Sequence, residues 1–248
     1  MSIRRAVIQA GGEGTRLRPV TLEIPKPLIP VQGQPITSWQ VRWFACYGVE
    51  DILVIIPPKW RTSFEKWRRD LLEEMGSDAP TMTLWEEPTP LGTMGAFVHH
   101  LQNQIGDESF FITNADELKS FDLSLLTSTH ASLRELHPSL AMTMALREVP
   151  NPKDYGVASL EDGLIRQFLE KPEAPSSNMV NAGLYIVEPP IFREADTKKS
   201  FLMFEQDLFP ELAASGRLGG CVLQGQWYDC GTMERWETAI NEWQSDLT

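Results

Sequence analysis

The segment Ala10-Gly11-Gly12-Glu13-Gly14-Thr15-Arg16-Leu17-Arg18-Pro19-Val20-Thr21-Leu22-Glu23-Ile24-Pro25-Lys26-Pro27-Leu28-Ile29-Pro30-Val31 decides the reading of this chain. It follows a short apolar run, Ala6-Val7-Ile8, and gathers three glycines, two arginines and a lysine into one turn-rich stretch. Glycines at 11, 12 and 14 let backbone N–H groups approach a phosphate chain with no Cβ in the way. Arg16, Arg18 and Lys26 supply the positive charge that such a chain needs. Pro19, Pro25, Pro27 and Pro30 predict that the rest of the segment is extended rather than helical.

Two familiar phosphate loops are excluded by their letters. No Gly-Lys-Ser/Thr follows, so this is not a P-loop. The third glycine of a dinucleotide loop is replaced by Leu17, and the acidic residue expected about twenty positions on is missing from Ile29-Pro30-Val31-Gln32. The segment instead resembles, nearly letter for letter, GGxGTRLxPxTxxxPKPLxPV, the signature of the sugar-1-phosphate nucleotidyltransferases. Within that family it is most similar to mannose-1-phosphate guanylyltransferase-type members of compact size.

The chain has 248 residues and a net charge of −12. That length can bury a full core, and the acidic balance argues against nucleic acid or an anionic membrane as a partner. An acidic protein with an anionic substrate must concentrate its cations locally or borrow metal ions. Cys46, Cys221 and Cys230 are an odd number without CxxC spacing, which suits reduced thiols in the cytoplasm. The apolar runs are too short to span a bilayer.

The first half alternates strand-like runs (3–9, 51–56, 81–85, 109–113) with helix-length segments (35–47, 63–75). This predicts an α/β fold, Rossmann-like, with a mixed, mostly parallel sheet flanked by helices. Such sheets bind ligands at the carboxyl ends of their strands. The second half is richer in strands: 140–147, then 155–160 and 164–169 joined by a turn at Glu161-Asp162-Gly163, then 182–187. Helices are predicted over 205–214 and 233–243. We read one nucleotidyltransferase domain over 1–248, with a nucleotide half to about residue 135 and a sugar-phosphate half from about 136. No hexapeptide repeats are present, so the left-handed β-helix that some family members carry is not expected.

Asp116, in Phe110-Phe111-Ile112-Thr113-Asn114-Ala115-Asp116, ends a strand where a carboxylate can hold Mg²⁺ against a triphosphate. The family's usual phrase there is Asn-Gly-Asp, and this chain has Ala115. Asp229, in Trp227-Tyr228-Asp229-Cys230-Gly231-Thr232, resembles the family's second metal-binding phrase. The resemblance also assigns Glu170, Lys171 and Asn181 to the sugar-phosphate pocket. It places Glu87, Gly92 and Thr93 in a base-recognition loop. Glu87 suits the paired N–H donors of guanine better than the carbonyl-flanked N–H of uracil or thymine, which favours GTP.

The reaction so implied joins a nucleoside triphosphate to a sugar 1-phosphate and releases pyrophosphate. It needs no strong general base, because the second pKa of a phosphomonoester is about 6. Catalysis then rests on positioning and charge neutralisation. Arg16 and the amides from Gly12 to Thr15 go to the leaving phosphates, Lys26 to the α-phosphate, Lys171 to the nucleophile, and Asp116 and Asp229 to Mg²⁺. Uridylyl, thymidylyl or cytidylyl transfer to other sugars, including N-acetylmuramate or heptose 1-phosphate, stays open. A non-catalytic relative should have lost Arg16, Lys26 or an aspartate, and all are present. A glycosyltransferase would carry Asp-x-Asp, which is absent. The oligomeric state is left open, a homodimer included.

Overall fold

A computed structural model describes residues Ser2–Ser245. Contacts divide them into two compact units, neither a continuous stretch of chain. One comprises Arg4–Thr89, Thr113–Phe121 and the described residues from Gly225 onward; the other is essentially Pro90–Ile112 with Asp122–Gln224.

In the first unit, strands Arg5–Gln9, Asp51–Ile56 and Thr81–Glu86 pair in parallel, Arg5 opposite Asp51 and Asp51 opposite Thr81. Parallel neighbours need a crossover. Helices Ile36–Cys46 and Arg61–Met75 provide it. Pro35 stands just before the first of these helices, and Gly48, at φ +79°, just beyond its end. Arg5–Gln9 and Asp51–Ile56 are buried almost throughout, as their apolar runs require, whereas Thr81–Glu86 at the sheet edge is mostly half-exposed.

The predicted extended course after the glycines is corrected. Thr15–Leu17, Val20–Glu23 and Lys26–Leu28 are single helical turns. Proline is tolerated here because each turn is so short that Pro19 and Pro25 precede a turn and Pro27 stands in a first turn, where no intrahelical N–H bond is lost.

In the second unit, Met179–Val187 pairs antiparallel with Met142–Glu148, and Leu164–Glu170 pairs antiparallel with Gly156–Glu161. Asp162 and Gly163, both at positive φ, turn that second pair. Leu218–Val222 is the parallel neighbour of Met142–Glu148. The sheet is therefore mixed, flanked by helices, and the mostly parallel arrangement describes only the first unit's strands. Helix Leu123–Leu136, capped by Asp122 through the Ser124 N–H at 2.8 Å, was not predicted. The core here is aromatic: Phe97 stacks on Phe192 at 4.9 Å between centroids, and Phe204 on Phe209 at 5.6 Å. Each such ring, once buried, contributes roughly 1.5–3 kcal/mol.

Candidate active site

The glycine loop leaves the carboxyl end of strand Arg5–Gln9. Beside it, the Ala115 N–H donates to the Gln9 carbonyl at 3.1 Å, which sets Asp116 at the same strand end. A Cβ at Gly12 would meet nothing within 4 Å, so the loop's backbone is approachable there. Gly14 instead sits at φ +61° with Thr21 and Lys26 packed against it, and its carbonyl accepts from the Thr21 hydroxyl at 2.8 Å. The loop's first turn is thus pinned to Lys26.

Lys26 is buried, and its ammonium pairs with the Asp116 carboxylate. Burial pushes the Asp116 carboxyl up, but the charge and hydrogen bond of Lys26, helped by Lys119, outweigh that and hold it below the usual carboxylate range.

A short antiparallel pair brings in the second aspartate. Glu117–Lys119 pairs with Trp227–Asp229, with Asp229 opposite Glu117, and the Cys230 N–H donates to the Asp116 carbonyl at 3.1 Å. Asp116 and Asp229, remote in sequence, therefore lie on adjoining backbones. Asp229 Oδ2 accepts from Arg235 at 2.6 Å. A Cβ at Gly231 would stand 2.7 Å from Asp229 Oδ1 and 3.1 Å from an Arg16 guanidinium nitrogen. Gly231 is thus what lets Arg16 and Asp229 share that space.

Beneath the pair lies Glu117. Its carboxylate accepts from the Asn114 amide at 3.1 Å, the Trp227 indole at 2.8 Å and the buried Lys119 ammonium at 3.0 Å. Gln40 Nε2 donates to the carbonyls of both Asn114 and Glu117 at 2.7 Å. Burial, with the charges of Asp116 and Asp229, pushes Glu117 above the usual carboxylate range against the pull of Lys119. Burial and the same two aspartates push the Cys230 thiol up to about 12, so it is no nucleophile at neutral pH.

Glu87 belongs to this unit as well. Its Oε2 stands 3.1 Å from where a Gly11 Cβ would be, so its carboxylate leans over the base of the glycine loop.

Gly92, Thr93, Glu170, Lys171 and Asn181 lie in the other unit. The Glu170 carboxylate pairs with Lys171 at 2.9 Å. Lys171 sits at φ +45°, an uncommon conformation for a residue with a side chain, with its N–H on the Tyr155 carbonyl. Asn181 donates to the Tyr185 hydroxyl at 2.7 Å and accepts from the Gly183 N–H at 2.9 Å, across a shift of register in its strand. Thr93 donates to Glu205 at 2.8 Å. The sequence reading missed Glu117, Lys119, Arg235 and Glu205. Glu117 and Lys119 had a signal, since charged residues alternate with Leu118 right after the Asp116 phrase. Glu205 had none beyond its place at the start of a predicted helix.

The site's chemistry is that of anion handling: cations fixed on carboxylates, around a backbone open to phosphate. Mannose-1-phosphate guanylyltransferase 1 of Arabidopsis thaliana is 30% identical over 98% of this chain. The mannose-1-phosphate guanylyltransferase catalytic subunit beta of Xenopus tropicalis is 32% identical over 92% of it. The chain spans 65% and 61% of the lengths of these relatives. The solved structure of a UDP-glucose pyrophosphorylase with UDP-glucose superposes with a TM-score of 0.79 at 26% identity, covering 96% of this chain and 97% of that one. The pattern of the nucleotidyl transferase family matches residues 5–245, nearly the whole of what has been described, and the chain belongs to that family.

Proposed function

We propose that the protein transfers a nucleotidyl group from a nucleoside triphosphate to a sugar 1-phosphate, releasing pyrophosphate, with GTP and a mannose-1-phosphate-like sugar as substrates. The observation that carries this reading is the convergence of Arg16, Lys26, Asp116 and Asp229 beside the open glycine loop. The guanylyltransferase relatives support the choice of substrates.

Arg16 and the loop amides take the β- and γ-phosphates, where charge builds as pyrophosphate leaves. Lys26 exchanges Asp116 for the α-phosphate. Lys171, exposed at the end of its strand, exchanges Glu170 for the sugar's phosphate. Asp116 and Asp229 fit a divalent cation. They are hard oxygen donors on adjoining backbones, and Mg²⁺ characteristically takes one or two carboxylates with phosphate oxygens and water. Bound there, Mg²⁺ would neutralise charge on the triphosphate.

Glu87, leaning over the loop, supports guanine. The structural likeness to a UDP-glucose-bound pyrophosphorylase favours uridylyl transfer as the second reading. A cytoplasmic location fits the three unpaired cysteines. Among the described residues no helix is long and apolar enough to cross a membrane.

Pyrophosphate release across a grid of triphosphates and sugar 1-phosphates tests the proposal. GTP with mannose 1-phosphate is expected to lead, and Glu87→Gln to erode the base preference by the loss of a charged hydrogen bond, about 1.5–3 kcal/mol. No release from any pair would refute the transfer reaction; a lead by UTP would refute the role of Glu87.

A further inference from the structure

The Lys26–Asp116 ion pair joins two irregular pieces of chain. Lys26–Leu28 is a single helical turn, and residues 114–117 form the bend that leads into strand Glu117–Lys119. Both pieces are hydrogen-bonded to one helix, Ile36–Cys46, and all of these residues lie in the first unit. The Thr37 hydroxyl donates to the Pro27 carbonyl at 2.6 Å. Gln40 Nε2 donates to the carbonyls of Asn114 and Glu117, each at 2.7 Å. Thr37 and Gln40 stand at i and i+3, on one face of the helix. That face therefore grips the backbone next to the lysine and the backbone on either side of the aspartate.

Polar side chains are unusual in these places. Thr37 is fully buried and Gln40 is 1% exposed, where a helix facing a core ordinarily presents apolar groups. Gln40 Oε1 is buried without a partner among the described residues, a cost that a leucine would avoid. Turning the amide over gives no relief, because Oε1 would then face two carbonyl oxygens. What glutamine supplies is two N–H donors, one for each end of the bend. Pro27 has no N–H of its own, so Thr37 holds the one backbone group it can offer. The peptides inside the bend are tied elsewhere, the Ala115 N–H to Gln9 and the Asp116 carbonyl to the Cys230 N–H.

We propose that Thr37 and Gln40 are positioning residues for the transfer reaction. From one helix face they set the register of the Lys26 ammonium against the Asp116 carboxylate, and so the place where a triphosphate and its metal are held. This rests on the assignment of Lys26 to the α-phosphate and Asp116 to Mg²⁺, and adds the residues that keep the two aligned. Neither side chain touches substrate. Losing either contact frees one partner to shift against the other, and a displacement of about 1 Å can cost about 10²-fold in rate.

Three variants of the full protein, each close to the parent in volume, test this beside thermal melts. Thr37→Val removes the hydroxyl and Gln40→Met the amide. Trp43→Phe is the control on the same helix, removing the indole N–H that donates to the Phe121 carbonyl at 3.0 Å. Thr37→Val and Gln40→Met should each lower kcat about 10-fold or more, whereas Trp43→Phe should lower only the melting temperature. Thr37→Ser, which keeps the donor, should restore the rate. In calorimetric titration with GTP, or UTP if GTP does not bind, Gln40→Met should shrink the tightening that Mg²⁺ brings by about 10-fold. If Thr37→Val and Gln40→Met match Trp43→Phe in rate and Mg²⁺ response, or if neither folds, the positioning role is overturned. Lys26→Met separates the two readings: loss of turnover there keeps the site assignment even when the positioning role fails. Normal turnover by a folded Lys26→Met overturns both.

Discussion

The ammonium of Lys26 and the carboxylate of Asp116 form an ion pair across ninety residues of sequence. The lysine is 8% exposed and the aspartate 36%, so the pair is stiff on one side and accessible on the other. An anion entering beside Asp116 would meet a cation already desolvated and aimed.

Lys26→Met keeps the aliphatic stem and removes the charge. Turnover should fall about 10²–10³-fold, the usual loss when one preorganised charge donor is deleted. Pyrophosphate release measured beside a thermal melt separates this from unfolding. Near-normal turnover in a folded variant would remove Lys26 from the chemistry.

Asp229→Asn keeps shape but loses a charge that Arg235 also uses. Metal-dependent turnover should drop steeply, while the fold survives. Chelating Mg²⁺ should silence the parent protein and leave the variant little more to lose. Full activity of the variant at limiting Mg²⁺ would exclude Asp229 as a ligand.

Gly92 and Gly48 both have positive φ, yet only Gly92 has a carbonyl in the way of a Cβ. Gly48→Ala should cost about 1–2 kcal/mol for the left-handed backbone alone. Gly92→Ala should cost a further 1–3 kcal/mol or so, because the Leu202 backbone must move. Urea denaturation of the two variants reads the difference; equal shifts would mean that Leu202 yields freely.

Glu188 predicts an acid limb to stability. It is largely buried and accepts from Ser109, His130 and Arg134. Burial pushes its carboxyl up, but His130 and Ser109, then Arg134, pull harder and leave it below the usual range. A carboxyl lowered in the folded state adds stability that is complete above its unfolded pKa, near 4.3, and is lost as pH falls through the folded value. Glu188→Gln should cost about 1–3 kcal/mol at pH 7 and flatten this part of the acid limb. An unchanged pH profile by denaturant titration would refute the assignment.

Much of this was legible in the sequence because it is local. Asp51–Ile56 reads as a strand from its unbroken apolar run and was predicted to the residue. Helix Ile36–Cys46 announces both ends through Pro35 and Gly48. Helix Leu123–Leu136 was missed because serine, threonine and histidine blur its apolar stripe. The helical turns after the glycine loop were missed because proline was read as a breaker where it stands at turn starts. In the site, Lys26 and Asp116 were each visible, but their pairing is a product of the fold. Glu117 and Lys119 carried a signal in their alternation with Leu118, but the supporting role of Glu117 did not, since Trp227 joins Asn114 and Lys119 around it only when two short strands meet.

The glycine loop's own hydrophobic footing consists of Leu17, Ile29, Val31 and Ile36, closed by Leu118, Cys230, Ala239 and Trp243. The Trp236 indole donates to the Pro30 carbonyl across 206 residues. During synthesis the loop therefore emerges long before the helix Met233–Glu242 that seals it. The cluster of Lys26, Asp116 and Asp229 beside that loop cannot mature on the ribosome in the order in which it is made. Such long-range closure is slow, and the nascent chain carries an exposed apolar seam until helix Met233–Glu242 arrives.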